Sequence, residues 1–211
     1  MMKKTESISA RNTLLLNAPS LAAVLLGLLV SVVTPQTATA GIDKVTSSTA
    51  LPLKTPFAPI ADAALLDVGI TPLNDGLDLT DEDDTVFPEV RFAEAIYFSN
   101  QLAKVMEKSG AWGAIRVTPS DDVITDVYIS GTILHSDGET MKLQITVKDS
   151  RGQQWISKKY NQTTGKYAYD RRLKNLADPF RNLFVQIAND ILKYREKLSQ
   201  EKALELRTIS E

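Results

Sequence analysis

The chain contains no cysteine. That absence excludes disulfides, thiolate metal sites, a cysteine nucleophile and lipid attachment through a thiol. A single histidine, His135, excludes any site that needs two imidazoles. Basic residues are not in excess: 24 Lys and Arg stand against 26 Asp and Glu, a net charge of -2. Little is therefore available to neutralise a phosphate backbone, and nucleic acid is not an expected partner. The sequence has no G-x-S-x-G elbow, P-loop, dinucleotide fingerprint or H-E-x-x-H motif, each of which would supply a specific chemistry. What remains is 43% apolar and 24% charged residues in a chain of 211. This is the balance of a soluble globular domain long enough to bury a core.

The first forty residues carry an address. Lys3, Lys4 and Arg11 give a positive start against Glu6 alone, and Leu21 to Val33 is a thirteen-residue run whose only polar member is Ser31. Pro35 interrupts it, and Ala38-Thr39-Ala40 precedes Gly41. A charged start, a short apolar run, a helix breaker and an A-x-A site make a secretory signal peptide. The run falls short of the roughly 20 residues a spanning helix needs. Residues 1–40 are thus expected to be removed after Ala40 and the protein to work in the periplasm, with no stable membrane span after cleavage. N-terminal sequencing of exported material should return Gly41 first. Residues 1–40 retained in a carbonate-resistant membrane fraction would show an anchor instead.

Residues 41–62 contain Pro52, Pro56 and Pro59 among Thr, Ser and Ala, too closely spaced for a helix or a central strand. They read as a flexible or extended leader. A domain is expected over 63–198. Leu65 to Thr71 reads as a short buried strand, and an acidic loop with Asp75, Asp78, Asp81, Glu82, Asp83, Asp84 and Glu89 follows. Pro88 suits the first turn of a helix. Phe92, Ala95, Ile96, Ser99, Leu102, Ala103 and Met106 then recur at three- and four-residue spacing as its apolar face, with Ser109-Gly110 closing it.

From Gly113 the period becomes two. Residues 113–118, the stretch around Val127, Ile129, Gly131 and Ile133, the run from Met141 to Lys148 and Gln153 to Tyr160 read as strands. Asp137-Gly138 and Asp149-Ser150-Arg151-Gly152 are the turns between the last three. After a polar, partly basic loop at 161–177, Asp178-Pro179 restarts a helix as N-cap and N1. Phe180, Leu183, Phe184, Ile187, Ile191, Tyr194 and Leu198 form its stripe. Residues 199–211 read as a charged helical tail. The expected fold is α+β, a two-layer sandwich with a mixed sheet of four to five strands and two amphipathic helices on one face. The first strand is expected parallel to the 113–118 strand, across the helix that links them.

The stretch Asp126-Val127-Tyr128-Ile129-Ser130-Gly131-Thr132-Ile133 resembles the "(A/T)D-apolar-x-apolar-x-G-x-apolar" strand of the small α/β domain at the N-terminus of TolB. The penicillin-binding-protein activator LpoB and the curli secretion protein CsgG share that domain type. In it, a helix ends in a Ser-Gly pair plus an aromatic, here Ser109, Gly110 and Trp112, and an Asp-x-x-x-Gly-like turn follows the second strand, here Asp149 to Gly152. The resemblance covers about residues 63–198. It implies a Gram-negative envelope protein that binds other proteins, as many of these relatives do without catalytic residues of their own, though fold does not fix function. The lipid-attachment cysteine of LpoB and CsgG is missing here and no propeller follows, so neither lipid tethering nor TolB's partners carry over.

Candidate sites are few. Ser136 and Asp137 directly follow His135, but consecutive residues beside a turn do not converge as a triad must. The acidic segment from Asp75 to Glu89 is the one candidate for calcium. Its spacing fails the EF-hand pattern: counted from Asp81, position six is Val86 and position twelve is Phe92. The best contact surface is Lys158, Lys159, Lys166, Arg171, Arg172 and Lys174, interleaved with Tyr160, Tyr167 and Tyr169. Arginine and tyrosine are favoured at interfaces because each joins area to polar bonding. The partner-binding residues are expected to be Lys166, Tyr167, Tyr169, Arg171, Arg172 and Lys174. The reading is a non-enzymatic periplasmic accessory or scaffold domain that binds an envelope protein, with no cofactor and no metal. The alternatives are a hydrolase using carboxylates of the acidic loop, and a carrier of a small apolar ligand between sheet and helices.

Overall fold

The computed structural model describes residues 42–46, 50–79, 86–120, 122–165 and 178–210. Among these residues are six strands and three α-helices: β1 (Ile42–Thr46), β2 (Val68–Ile70), α1 (Pro88–Glu107), β3 (Ile115–Val117), β4 (Val127–Ser136), β5 (Thr140–Asp149), β6 (Gln154–Thr163), α2 (Arg181–Arg195) and α3 (Gln200–Ser210). They form one mixed sheet in the order β1-β6-β5-β4-β2-β3. β4, β5 and β6 are an antiparallel meander, as the period-two pattern requires. β2 lies parallel to both β4 and β3, with Val68 opposite Ile115, so the strand preceding α1 and the strand following it are neighbours. Gly138, in the turn between β4 and β5, has φ +86°, which glycine adopts without a Cβ clash.

Alternation along β5 decides the architecture. Met141, Leu143, Ile145 and Val147 are buried, whereas Lys142 and Lys148 are exposed. The helices cover the first face and leave the other polar, so the fold is the two-layer α+β sandwich. Phe98 of α1 meets Phe184 of α2 at 6.0 Å between ring centroids above the sheet. Gly131 sits where β4 passes β5: a Cβ there would run into the carbonyl oxygen of Gln144 and stand 2.8 Å from Ile145 Cδ1.

The structure corrects four expectations. First, the sheet has one more strand than expected, because β1 falls in the supposed leader and pairs parallel with β6, Asp43 opposite Tyr160. Second, the rest of that leader is not loose. The Leu51, Lys54 and Phe57 N–H groups donate to Asn182 Oδ1 (2.9 Å), Asn189 Oδ1 (2.9 Å) and Glu196 Oε1 (3.0 Å), and Asn189 Nδ2 returns a bond to the Pro52 carbonyl. The acceptors recur every seventh residue along α2 and its C-cap Glu196, a rise of about 10 Å. The donors recur every third residue of an extended proline-containing chain, about 9 Å. The two periods match, and the strap runs along the helix.

Third, α1 is turned relative to its apolar spacing. Arg91 is buried, while Phe92 is 64% and Ile96 40% exposed. The Arg91 guanidinium donates to the Asp75 and Ser136 carbonyls (3.4 Å each) and pairs with Glu94 at 3.2 Å, so a polar anchor occupies the inward position at the first turn. Fourth, the tail folds back. Ser199 caps α3 by accepting from the Lys202 N–H, and Ala203 and Leu206, three residues apart, are fully buried. Arg207 donates to the Leu65 carbonyl at 2.9 Å and Ser150 Oγ to the Leu206 carbonyl at 2.9 Å. In addition, α2 starts at Arg181 rather than at Pro179, and Asp178 Oδ1 accepts from the Phe180 N–H in a short turn before it.

Candidate functional site

β6 delivers side chains alternately to the two faces of the sheet, and this separates the adjacent lysines of the sequence. Lys158 shares the helix face with Tyr160, while Lys159, one position on, goes to the open face and is exposed. α2 runs antiparallel to β6 above that helix face: the Gln162 side chain bonds to Pro179, Lys158 and Tyr160 to Asp190, and Trp155 stacks on Tyr194 with centroids 4.8 Å apart. Between strand and helix opens a cleft of about 210 Å³, lined by Ile156, Lys158, Tyr160, Asp190, Lys193, Tyr194 and Lys197.

Among the described residues, the cleft is lined by three ammonium groups and one carboxylate. Asp190 Oδ2 accepts from Lys158 Nζ at 3.0 Å and from the buried Tyr160 hydroxyl at 3.1 Å, so the carboxylate is committed inside the site. Lys158 Nζ also lies 5.1 Å from the Tyr160 ring centroid, and Lys197 Nζ 5.9 Å from that of Tyr194, within reach of cation–π attraction. Lys193 and Lys197 are exposed and pair with no carboxylate among the described residues. The arrangement can hold an anionic group against aromatic faces.

The sequence reading found Lys158 and Tyr160 and missed Lys193 and Lys197. Their spacing of four residues, one on the last turn of α2 and one just past its end, is the available signal, obscured because Tyr194 between them reads as core. Lys166, Tyr167, Tyr169, Arg171, Arg172 and Lys174 lie outside the described residues. In sequence, the segment that carries them lies between β6 and α2. The reading of 161–177 as a loop begins too early, since β6 continues to Thr163.

The other candidates are not brought together. His135 Nε2 lies 3.0 Å from Asp137 Oδ2, but the Ser136 hydroxyl points away and donates to Glu94 at 2.7 Å. The Asp137 carboxyl is held down to about 2, chiefly by the Thr140 N–H, with help from His135 and the Glu139 N–H against the opposing effect of burial. It is the organising acceptor of the hairpin turn. The Asp75 carboxylate turns back to the Leu77 N–H, and Asp81 to Asp84 lie outside the described residues. No group of three or more His, Asp or Glu able to hold a metal ion occurs among the described residues.

The acidic residues of the two short motifs are structural. Asp126, 3% exposed, accepts from the Asp67 N–H at 2.7 Å and from the Ser210 hydroxyl, joining the start of β2 to the end of α3. Asp149, 2% exposed, accepts from the Arg151 and Gln153 N–H groups and from Trp155 Nε1.

No protein-family model matches the chain, and no curated protein matches it. Among solved structures, it is similar to the hypothetical protein CT253 from Chlamydia trachomatis, with a TM-score of 0.41 and 15% identity over 61% of this chain and 97% of that one. It is also similar to PelC from Paraburkholderia phytofirmans, with a TM-score of 0.34 and 14% identity over 75% of this chain and 94% of that one. Neither links the chain to the TolB, LpoB and CsgG domains. No helix among the described residues is long and apolar enough to cross a membrane.

Proposed function

We propose that the protein is a non-enzymatic interaction domain of a Gram-negative envelope assembly, exported to the periplasm, that binds an acidic segment of a partner protein through the β6–α2 cleft. The carrying observation is the excess of ammonium groups over the single engaged carboxylate of that cleft, set against two tyrosine rings. Exposed lysines are solvated and cost little to hold apart, so the surface is ready for an anionic partner without rearrangement. Lys166, Tyr167, Tyr169, Arg171, Arg172 and Lys174 extend this surface in sequence, and the arginines supply the planar fork that matches a carboxylate. The resemblance to the TolB, LpoB and CsgG domain type supports the same class of function.

The double variant Lys193→Glu with Lys197→Glu is expected to lower recovery of the native partner at least about tenfold in crosslinking and pull-down from the envelope. Its melting temperature should stay nearly that of the parent, since exposed charges contribute little to folding. Arg171→Ala with Arg172→Ala should act in the same direction. Undiminished recovery from both pairs would rule out this surface.

A further inference from the structure

A second opening lies where the strap leaves α2. Between residues 56–64 and the turn from α2 to α3 is a groove of about 420 Å³, a volume in the range of small-molecule sites. Its walls are apolar: Pro59, Ile60 and Ala61 on one side and Leu198 on the other. Phe57 stands at the rim with its ring almost wholly in solvent, 99% exposed. An aromatic ring that touches nothing beside an apolar groove lacks the packing that would normally hold it.

The floor carries a charge. Arg195, the last residue of α2, lines the groove and is only 4% exposed. One guanidinium nitrogen, Nη2, donates to the Ala64 carbonyl at 2.6 Å, while Nε is buried without a hydrogen-bond partner. No carboxylate pairs with the guanidinium among the described residues. Burial accordingly depresses its pKa. Position at the helix C-terminus offsets part of this penalty, and the Ala64 bond satisfies one donor. Buried charges are nonetheless ordinarily paired, and here the counter-ion is missing. Glu196 also lines the groove, but its carboxylate is at the exposed rim, engaged by the Phe57 N–H at 3.0 Å. It would repel a second negative charge on any occupant.

We infer that this groove binds a small amphipathic monocarboxylate, its apolar body between Ile60 and Leu198 and its head group at Arg195. The carboxylate provides the missing counter-ion and meets the guanidinium as a charge-assisted pair. The Phe57 ring closes over the apolar body. The single positive charge at the floor and Glu196 at the rim select one acidic group rather than two.

The test is calorimetric titration of the exported protein with decanoate, below its micellar concentration, and with decanol as the uncharged counterpart. Decanoate should bind saturably at one molecule per chain, and decanol at least about tenfold more weakly. Arg195→Met should remove the preference for the acid. Since that variant also loses the Ala64 bond and can unfold, Ala61→Trp provides the second arm. It fills the groove from an exposed position and should abolish decanoate binding without altering the fold. No saturable decanoate binding, equal binding of decanol, or unchanged binding by Ala61→Trp would each overturn the inference.

Discussion

Asp149→Ala is expected to cost about 3–5 kcal/mol of stability in urea unfolding, among the largest losses any single exchange of a polar side chain in this protein should produce. The carboxylate is 2% exposed, and its two oxygens serve four groups. Oδ1 accepts from the Arg151 N–H at 3.0 Å and the Gln153 N–H at 2.9 Å. Oδ2 accepts from Trp155 Nε1 at 3.1 Å and stands 3.5 Å from the Arg151 guanidinium. Alanine would leave the buried Trp155 indole N–H without an acceptor and take the acceptor from two partly buried turn amides, and each unsatisfied buried donor costs about 1–3 kcal/mol. Asp149→Asn keeps an acceptor oxygen for the turn and should lose less than half as much. The change should also be visible locally, as a red shift of Trp155 fluorescence. A loss below about 1 kcal/mol for the alanine variant would mean that the β5–β6 turn organises itself without the carboxylate.

The second large effect belongs to the core. Ile145, 1% exposed at the centre of β5, lies under the helices, and Ile145→Ala should cost about 2–5 kcal/mol. Lys142→Ala and Gln144→Ala, on the opposite face of the same strand, should each fall within about 0.5 kcal/mol of the parent. Similar losses on both faces would show that the polar face of the sheet is covered by something other than water.

The meander could be read from the sequence because a period of two leaves no choice of face once one side is apolar, and Met141 to Lys148 alternates without a fault. Helix α1 shows the weakness of the same reasoning at a period of 3.6. Phe92 and Arg91 are adjacent, only 100° apart around the axis, and apolarity alone selects Phe92. The structure selects Arg91, because the carbonyls of Asp75 and Ser136 need a donor there. Proline misled at the other end. Pro52, Pro56 and Pro59 exclude regular structure, but the extended chain around them keeps the N–H groups of Leu51, Lys54 and Phe57 and the Pro52 carbonyl open to side chains on and just beyond α2. That partnership depends on residues more than a hundred positions away and leaves no local trace. The tail reads as helical and is so, but its packing leaves little local trace. Two apolar residues, Ala203 and Leu206, are enough to bury a short helix when Arg207 and Ser210 also find partners. In the candidate cleft, Lys158 and Tyr160 follow from strand alternation, whereas Lys193 and Lys197 become part of it only once α2 is known to lie antiparallel to β6.

The strap along α2 also constrains the order of events in folding. Leu51, Lys54 and Phe57 find their acceptors 131, 135 and 139 residues later in the chain. Such contacts bring no gain until the intervening loop has closed, and the entropy of that closure must be met first by other contacts. The meander of β4, β5 and β6 is local and can form early. The strap cannot. It is the stretch that must wait, with its amides open to water, until α2 has docked on the sheet. Its attachment is therefore a late step, and one whose loss should speed unfolding more than it slows refolding.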